Sequence, residues 1–122
     1  MADYVPLFKP GQAVTSLASA AITGGQLLAV TGDGTVGPAG AASTGVVGVA
    51  AQDAANGARV GLFGRGQVHR GISGVGGNTA GDPLIAGAAG TLVTAAAPPL
   101  GQQVGIALTT AVAGASVTYM EV

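Results

Sequence analysis

The stretch Gly45-Val-Val-Gly-Val-Ala-Ala-Gln-Asp-Ala-Ala-Asn-Gly-Ala-Arg-Val-Gly-Leu-Phe-Gly64 decides the fold. It holds two short runs rich in β-branched and aliphatic residues, 45–51 and 57–63. An Asp/Ala/Asn/Gly segment of turn character separates them. Runs of this length between turn residues read as strands. No apolar residues recur at helical spacing, and glycine recurs too often for a helix interior.

The same reading extends outward in both directions. Further strands are expected at 12–17, 26–31, 66–70, 83–86, 91–94, 103–109 and 115–121. Their spacing of roughly ten residues, with Gly, Pro, Asn or Asp between them, suggests a compact sandwich or barrel. The Ala-rich residues 16–21 have room for one helical turn. The expected class is all-β.

The chain also resembles itself. Displaced by 57 residues, 24–60 falls on 81–117. Leu27 then meets Leu84, Leu28 meets Ile85, and Val47-Gly48-Val49-Ala50 meets Val104-Gly105-Ile106-Ala107. Gly57-Ala58 meets Gly114-Ala115, and Val60 meets Val117. The reading is two similar β units sharing one core, each too thin alone. Glycine inside a strand weakens it unless the backbone bends or something approaches closely. Gly48 and Gly105 therefore mark either sharp bends or places where one unit packs on the other.

Composition limits what such a fold can do. The 122 residues include 23 glycines, two Phe, two Tyr and no Trp, so the core is built from small side chains. Oligomerisation is the expected remedy for a thin core. Charged residues are 7% of the chain, against about a quarter or more on a usual soluble surface. Much of the surface is therefore expected to be covered by protein. The cations are Lys9, Arg59, Arg65 and Arg70. They are too few to neutralise a run of phosphates, so nucleic acid is not expected as a partner. No window of about 20 residues is apolar enough for a spanning helix, so no membrane partner is expected either. Without cysteine there is no disulfide or thiolate metal site.

No cofactor, metal or catalytic cluster is expected. Gly32-Asp33-Gly34-Thr35-Val36-Gly37 matches a dinucleotide fingerprint in letters. The fingerprint needs a helix after its third glycine, and Pro38 followed by a strand near 45 leaves no room for one. A turn at 32–34 is the better reading. Residues 74–79 lack the lysine of a phosphate loop. His69 is the single histidine, and Asp33, Asp53, Asp82 and Glu121 are scattered, so His69 is read as structural. Arg65, His69 and Arg70 are considered as a small basic spot, with His69 and Arg70 on opposite faces.

Residues 1–11 differ from the rest. Tyr4, Val5, Leu7 and Phe8 are apolar, and Pro6 and Pro10 keep them extended. Such an arm can add to a neighbour's sheet edge or fold back on its own core. We expect the intermolecular use, with 12–122 as a single β domain.

The motifs resemble one family. Residues 45–64 are similar to the V-G-V-A, D-A, G, V, L-x-G core of small capsid cement proteins of tailed bacteriophages. Ala80-Gly81-Asp82-Pro83-Leu84-Ile85 resembles the family's second segment, A-G-D-x-L/V-Y, with Ile85 where an aromatic is usual. Residues 104–108 and 117–122 resemble its closing strands. The resemblance implies a β-tulip or β-clip type of fold and a homotrimer on the outer surface of the phage head. It also implies the major capsid protein as partner, and Tyr4, Val5, Leu7 and Phe8 as the capsid-binding arm. It implies no enzyme activity and no cofactor. Other readings are a tail, fibre or different virion module, and a carbohydrate-binding β domain.

Overall fold

A computed structural model describes residues 12–122. The arm residues Tyr4, Val5, Leu7 and Phe8 lie outside the described residues. Among the described residues ten strands form: β1 Ala13–Ala18, β2 Leu27–Gly32, β3 Thr35–Pro38, β4 Val46–Ala50, β5 Arg59–Gly64, β6 Val68–Ile72, β7 Pro83–Ala86, β8 Leu92–Thr94, β9 Gln103–Ala107 and β10 Ser116–Glu121. One short 3-10 turn, Ala88–Gly90, lies between β7 and β8. The all-β expectation holds. The helical turn expected at 16–21 does not form. β1 runs through to Ala18 instead, hydrogen-bonded along β5, because alternating Val14, Ser16 and Ala18 suit a strand with one buried face.

β3 is the strand that the residue pattern missed. Gly37 and Pro38 read as loop, yet Pro38 pairs with Leu28 at the strand's last position. That is a place where a missing N–H is tolerated. The turn before it is as expected. Gly34 takes φ +71°, and the β2–β3 ladder slips by one residue between Val30 and Gly32. This is a bulged hairpin, and it removes the dinucleotide reading.

Strands β1–β5 close into a barrel in the order β1-β3-β2-β4-β5, with β1 and β3 parallel. Strands β6–β10 form a second sheet ordered β6-β10-β9-β7-β8. Its neighbours repeat those of the barrel pair for pair. The closing parallel contact reduces to one bridge, Ser73 to Leu92. Loop hydrogen bonds repeat as well. Ile22 and Ala54 exchange both backbone bonds, as do Asn78 and Ala111. Gln26 Oε1 accepts from Thr23 N–H, and Asp82 Oδ2 accepts from Thr79 N–H. The repeat is therefore structural: a closed barrel is followed by a like five-stranded sheet that only this one bridge closes, called the second barrel below.

Its displacement is not uniform, which corrects the sequence alignment. Leu28 pairs with Gly48 as Leu84 pairs with Gly105. Leu28 thus corresponds to Leu84, and Leu27 to Pro83. The offset is 57 residues for β4 and β5, but 56 for β2 and β3, and 55 for β1. The connection from β8 to β9 carries one extra residue. A single slide matched Leu27 with Leu84 only because Leu28 lies beside Leu27.

Gly48 and Gly105 have the same role in the two units. A Cβ on Gly48 would run into the Phe63 carbonyl oxygen, and one on Gly105 would lie 2.6 Å from the Met120 carbonyl oxygen. The close approach is within each barrel, from β5 onto β4 and from β10 onto β9, and not between the units.

Two apolar clusters result. One fills the first barrel with Ala18, Ile22, Leu28, Val36, Ala50, Val60 and Leu62. The other joins the second barrel's interior (Leu84, Leu92, Val104, Val117, Tyr119) to Leu27, Ala29, Ala39, Val46 and Val49 of the first. The units are thus bound through a shared core. Hydrogen bonds reinforce the joint: Ala42 N–H to Ala86 O at 2.9 Å, Gly90 N–H to Ala39 O at 2.8 Å, and the Gln26 amide to Ala89 O at 2.9 Å. Ala42 and Ala89 are the two non-glycine residues with positive φ among those described, and both lie at this joint. Left-handed alanine costs about 1 kcal/mol, so the joint holds them there.

Candidate functional site

Three features stand out on the described surface. The first is a cross-strand row on the outer face of the second sheet. Val68 pairs with Met120, Met120 with Ile106, and Ile106 with Pro83. Val68, Met120 and Ile106 are exposed. Alternation puts them there, because Val117, Tyr119 and Glu121 point inward from β10. The row runs unbroken across β6, β10, β9 and β7 and is apolar throughout. Leu108, Val122 and Leu100 add exposed apolar area in the same half of the chain.

The second feature is the mouth of the first barrel. Val14, Val30, Val36, Val47 and Leu62 line a concavity of about 270 Å³ there, beside the β2–β3 turn. A third, of about 390 Å³, runs between the units, where Gly25, Gln26, Gly71, Ile72 and Gly90 meet Arg70.

Beneath the apolar row lies a buried polar cluster. His69 Nε2 is 3.7 Å from Glu121 Oε1, too long for a hydrogen bond. Both Glu121 oxygens, His69 Nε2 and the Tyr119 hydroxyl are buried without a hydrogen-bond partner among the described residues. Burial raises the Glu121 carboxyl to about 7, partly offset by the Arg65 guanidinium. Burial likewise pushes His69 down, and pushes the Tyr119 phenol up with help from the neighbouring Glu121. The contact geometry allows an ion pair, but burial dominates for both groups. The Glu121 carboxyl is therefore protonated below about pH 7. A neutral carboxyl beside an imidazole is a structural polar pair. Among the described residues, no group of three or more His, Cys, Asp or Glu is placed to hold a metal ion.

The basic spot does not assemble. Arg65 turns back to donate to Val122 O at 3.0 Å and Gln103 O at 3.4 Å. Arg70 lies on the exposed face of β6, whereas His69 is half-buried on the other. Sequence reasoning passed over Glu121 as one more scattered acid. The signal was available: Val117, Tyr119 and Glu121 alternate on one face of one strand. Among the described residues, no helix is long and apolar enough to cross a membrane.

The class so defined is an all-β protein of two tandem like barrels whose prominent surface features are apolar faces. No protein-family model matches the chain, and no curated protein matches it. A solved structure does: the head fiber gp8.5 N base in bacteriophage phi29. It matches at a TM-score of 0.71 and 25% identity, covering 91% of this chain and 93% of that one. The likeness supports a structural protein associated with a phage head.

Proposed function

We propose that the chain is a non-catalytic decoration protein that binds the outer surface of a phage head as a homotrimer and stabilises the lattice of major capsid protein. The observation that carries this is the likeness to the phi29 head fiber base over 91% of the chain. The exposed row Val68, Met120 and Ile106 and the sparse charge agree with it, since both suit a surface covered by protein. Reinforcement follows from mass action. Each copy adds its binding free energy to the assembled head and none to free subunits. Residues Tyr4, Val5, Leu7 and Phe8 are assigned as the arm that pairs with a capsid strand.

The test is co-sedimentation of purified protein with undecorated, expanded heads. Saturable binding is expected, with loss of binding when residues 2–10 are removed from a chain that still folds. Heads that sediment without the protein at any concentration would refute the role. Unchanged binding by the truncated chain would refute the arm.

The same likeness favours a second reading, in which the chain is the base of a head fibre and carries a further element outward. Electron micrographs of virions labelled on this protein separate the two. The decoration reading expects label spread over the head lattice, and the fibre reading expects it at the feet of projecting fibres.

A further inference from the structure

The joint between the two barrels uses unlike faces, and each barrel has an unused copy of the face its partner employs. On the first barrel the joint uses the outer row of β2 and β4. There Leu27 pairs with Val49, and Ala29 with Val46. All four are buried in the cluster they share with the second barrel's interior. They pack in that cluster against Ala86, Leu92, Val104 and Tyr119, the second barrel's counterparts of Val30, Val36, Val47 and Leu62 at the first barrel's mouth.

The equivalent positions are free elsewhere on the chain. The second barrel's counterpart of the plug is Pro83 paired with Ile106, and Ile85 paired with Gln103. Ile106 is 39% exposed, where its counterpart Val49 is 3%. The first barrel's counterpart of the mouth is the concavity at Val14, Val30, Val36, Val47 and Leu62. Val30 is 56% exposed there, where its counterpart Ala86 is 1%. Among the described residues, one chain therefore has an uncovered plug on one unit and an uncovered mouth on the other.

We propose that copies of this chain join head to tail by repeating their internal joint: the Pro83–Ile106 face of one copy seats in the first-barrel mouth of the next. A contact between unlike faces leaves a plug and a mouth free at the ends of any row, so it continues until it closes as a ring. In the trimer proposed above, three copies close it. The contact rests on that reading only for the number three. Apart from Gln103 the residues named on the two faces are apolar, and none of them carries a charge, so no ionic mismatch between them opposes their meeting.

The test uses the full-length chain without heads, by sedimentation velocity from micromolar to millimolar concentration. The wild type is expected to form a closed oligomer. Val30→Asp and Ile106→Asp are each expected to sediment as monomers, with thermal unfolding near that of the wild type, because both positions are exposed. Mixing the two variants is expected to give a dimer and nothing larger. The Ile106→Asp chain keeps a good mouth, the Val30→Asp chain keeps a good plug, and only one productive contact forms between them.

Cross-linking provides an independent readout, because the natural chain has no cysteine. Val30→Cys chains mixed with Ile106→Cys chains are expected to be bridged by a short bis-maleimide into heterodimers, and neither variant alone into homodimers. A wild type that stays monomeric, an oligomer that survives either aspartate in a folded chain, or cross-linking of like with like would each overturn the proposal. A chain that assembles through this contact and ignores heads leaves the contact standing and removes the head role.

Discussion

Glu121 is a buried acid in a chain with few charges. Its carboxyl is raised from 4.5 to about 7 by burial. A raised acid binds its proton more tightly folded than unfolded. Between pH 4.5 and about 7 the folded chain therefore holds a proton that the unfolded chain releases, and stability falls as pH rises. Below that window the group contributes no slope, and above it the loss is complete. His69, pushed down by burial, acts in the opposite sense, and its contribution is lost as pH falls below its ordinary range. Glu121→Gln keeps the shape and removes the titration. It is expected to stabilise the protein by about 1–3 kcal/mol at pH 8 and to leave it unchanged near pH 4. Urea unfolding at the two values checks this. An equal effect at both would show that the carboxyl is not titrating in the folded state. The strand alternation that buries Glu121 was legible in the residues. Its surroundings were not, because His69 and Arg65 approach it from a neighbouring strand and the turn before that strand.

At the scale of elements, the two hairpins β2–β3 and β7–β8 show how like backbones acquire unlike roles. Gly34 and Gly90 occupy equivalent positions with φ of +71° and +70°. A Cβ on Gly34 meets nothing, whereas one on Gly90 would lie 2.7 Å from the Leu27 carbonyl oxygen of the other barrel. Gly34→Ala pays only the left-handed strain, about 1 kcal/mol. Gly90→Ala adds a backbone clash at the joint and is expected to cost about 1–3 kcal/mol more. Chemical denaturation of both variants measures the difference. Equal losses would mean that the joint yields easily at that turn. The turn glycines, most strands and the conserved geometry behind the paired V-G-[VI]-A runs could be read from residue type and spacing, since these are local properties. β3 could not, because its terminal Pro38 and Gly37 have loop character, and the ladder that holds them comes from β2. The one-residue slip of the repeat was hidden for a related reason. Pairing register is set across strands, whereas an alignment sees only the order along the chain.

The whole molecule is more than two barrels in a row, because the second barrel's core contains side chains of the first. Leu27 is fully buried, yet it belongs to the shared cluster and not to the first barrel's own interior. Removing its side chain takes apolar contacts from both units at once. Leu27→Ala is expected to cost about 2–4 kcal/mol. With so few large side chains available, neither unit has a comparable core to fall back on. The barrels are therefore expected to unfold together. Calorimetry of the intact chain should give one transition whose calorimetric and van't Hoff enthalpies agree, with the Leu27→Ala transition shifted down as a unit. Two resolved transitions, or a Leu27→Ala effect confined to one of them, would show that the barrels are independent modules. The shared core would then be a contact between finished domains, and the first barrel alone would suffice to hold its own fold.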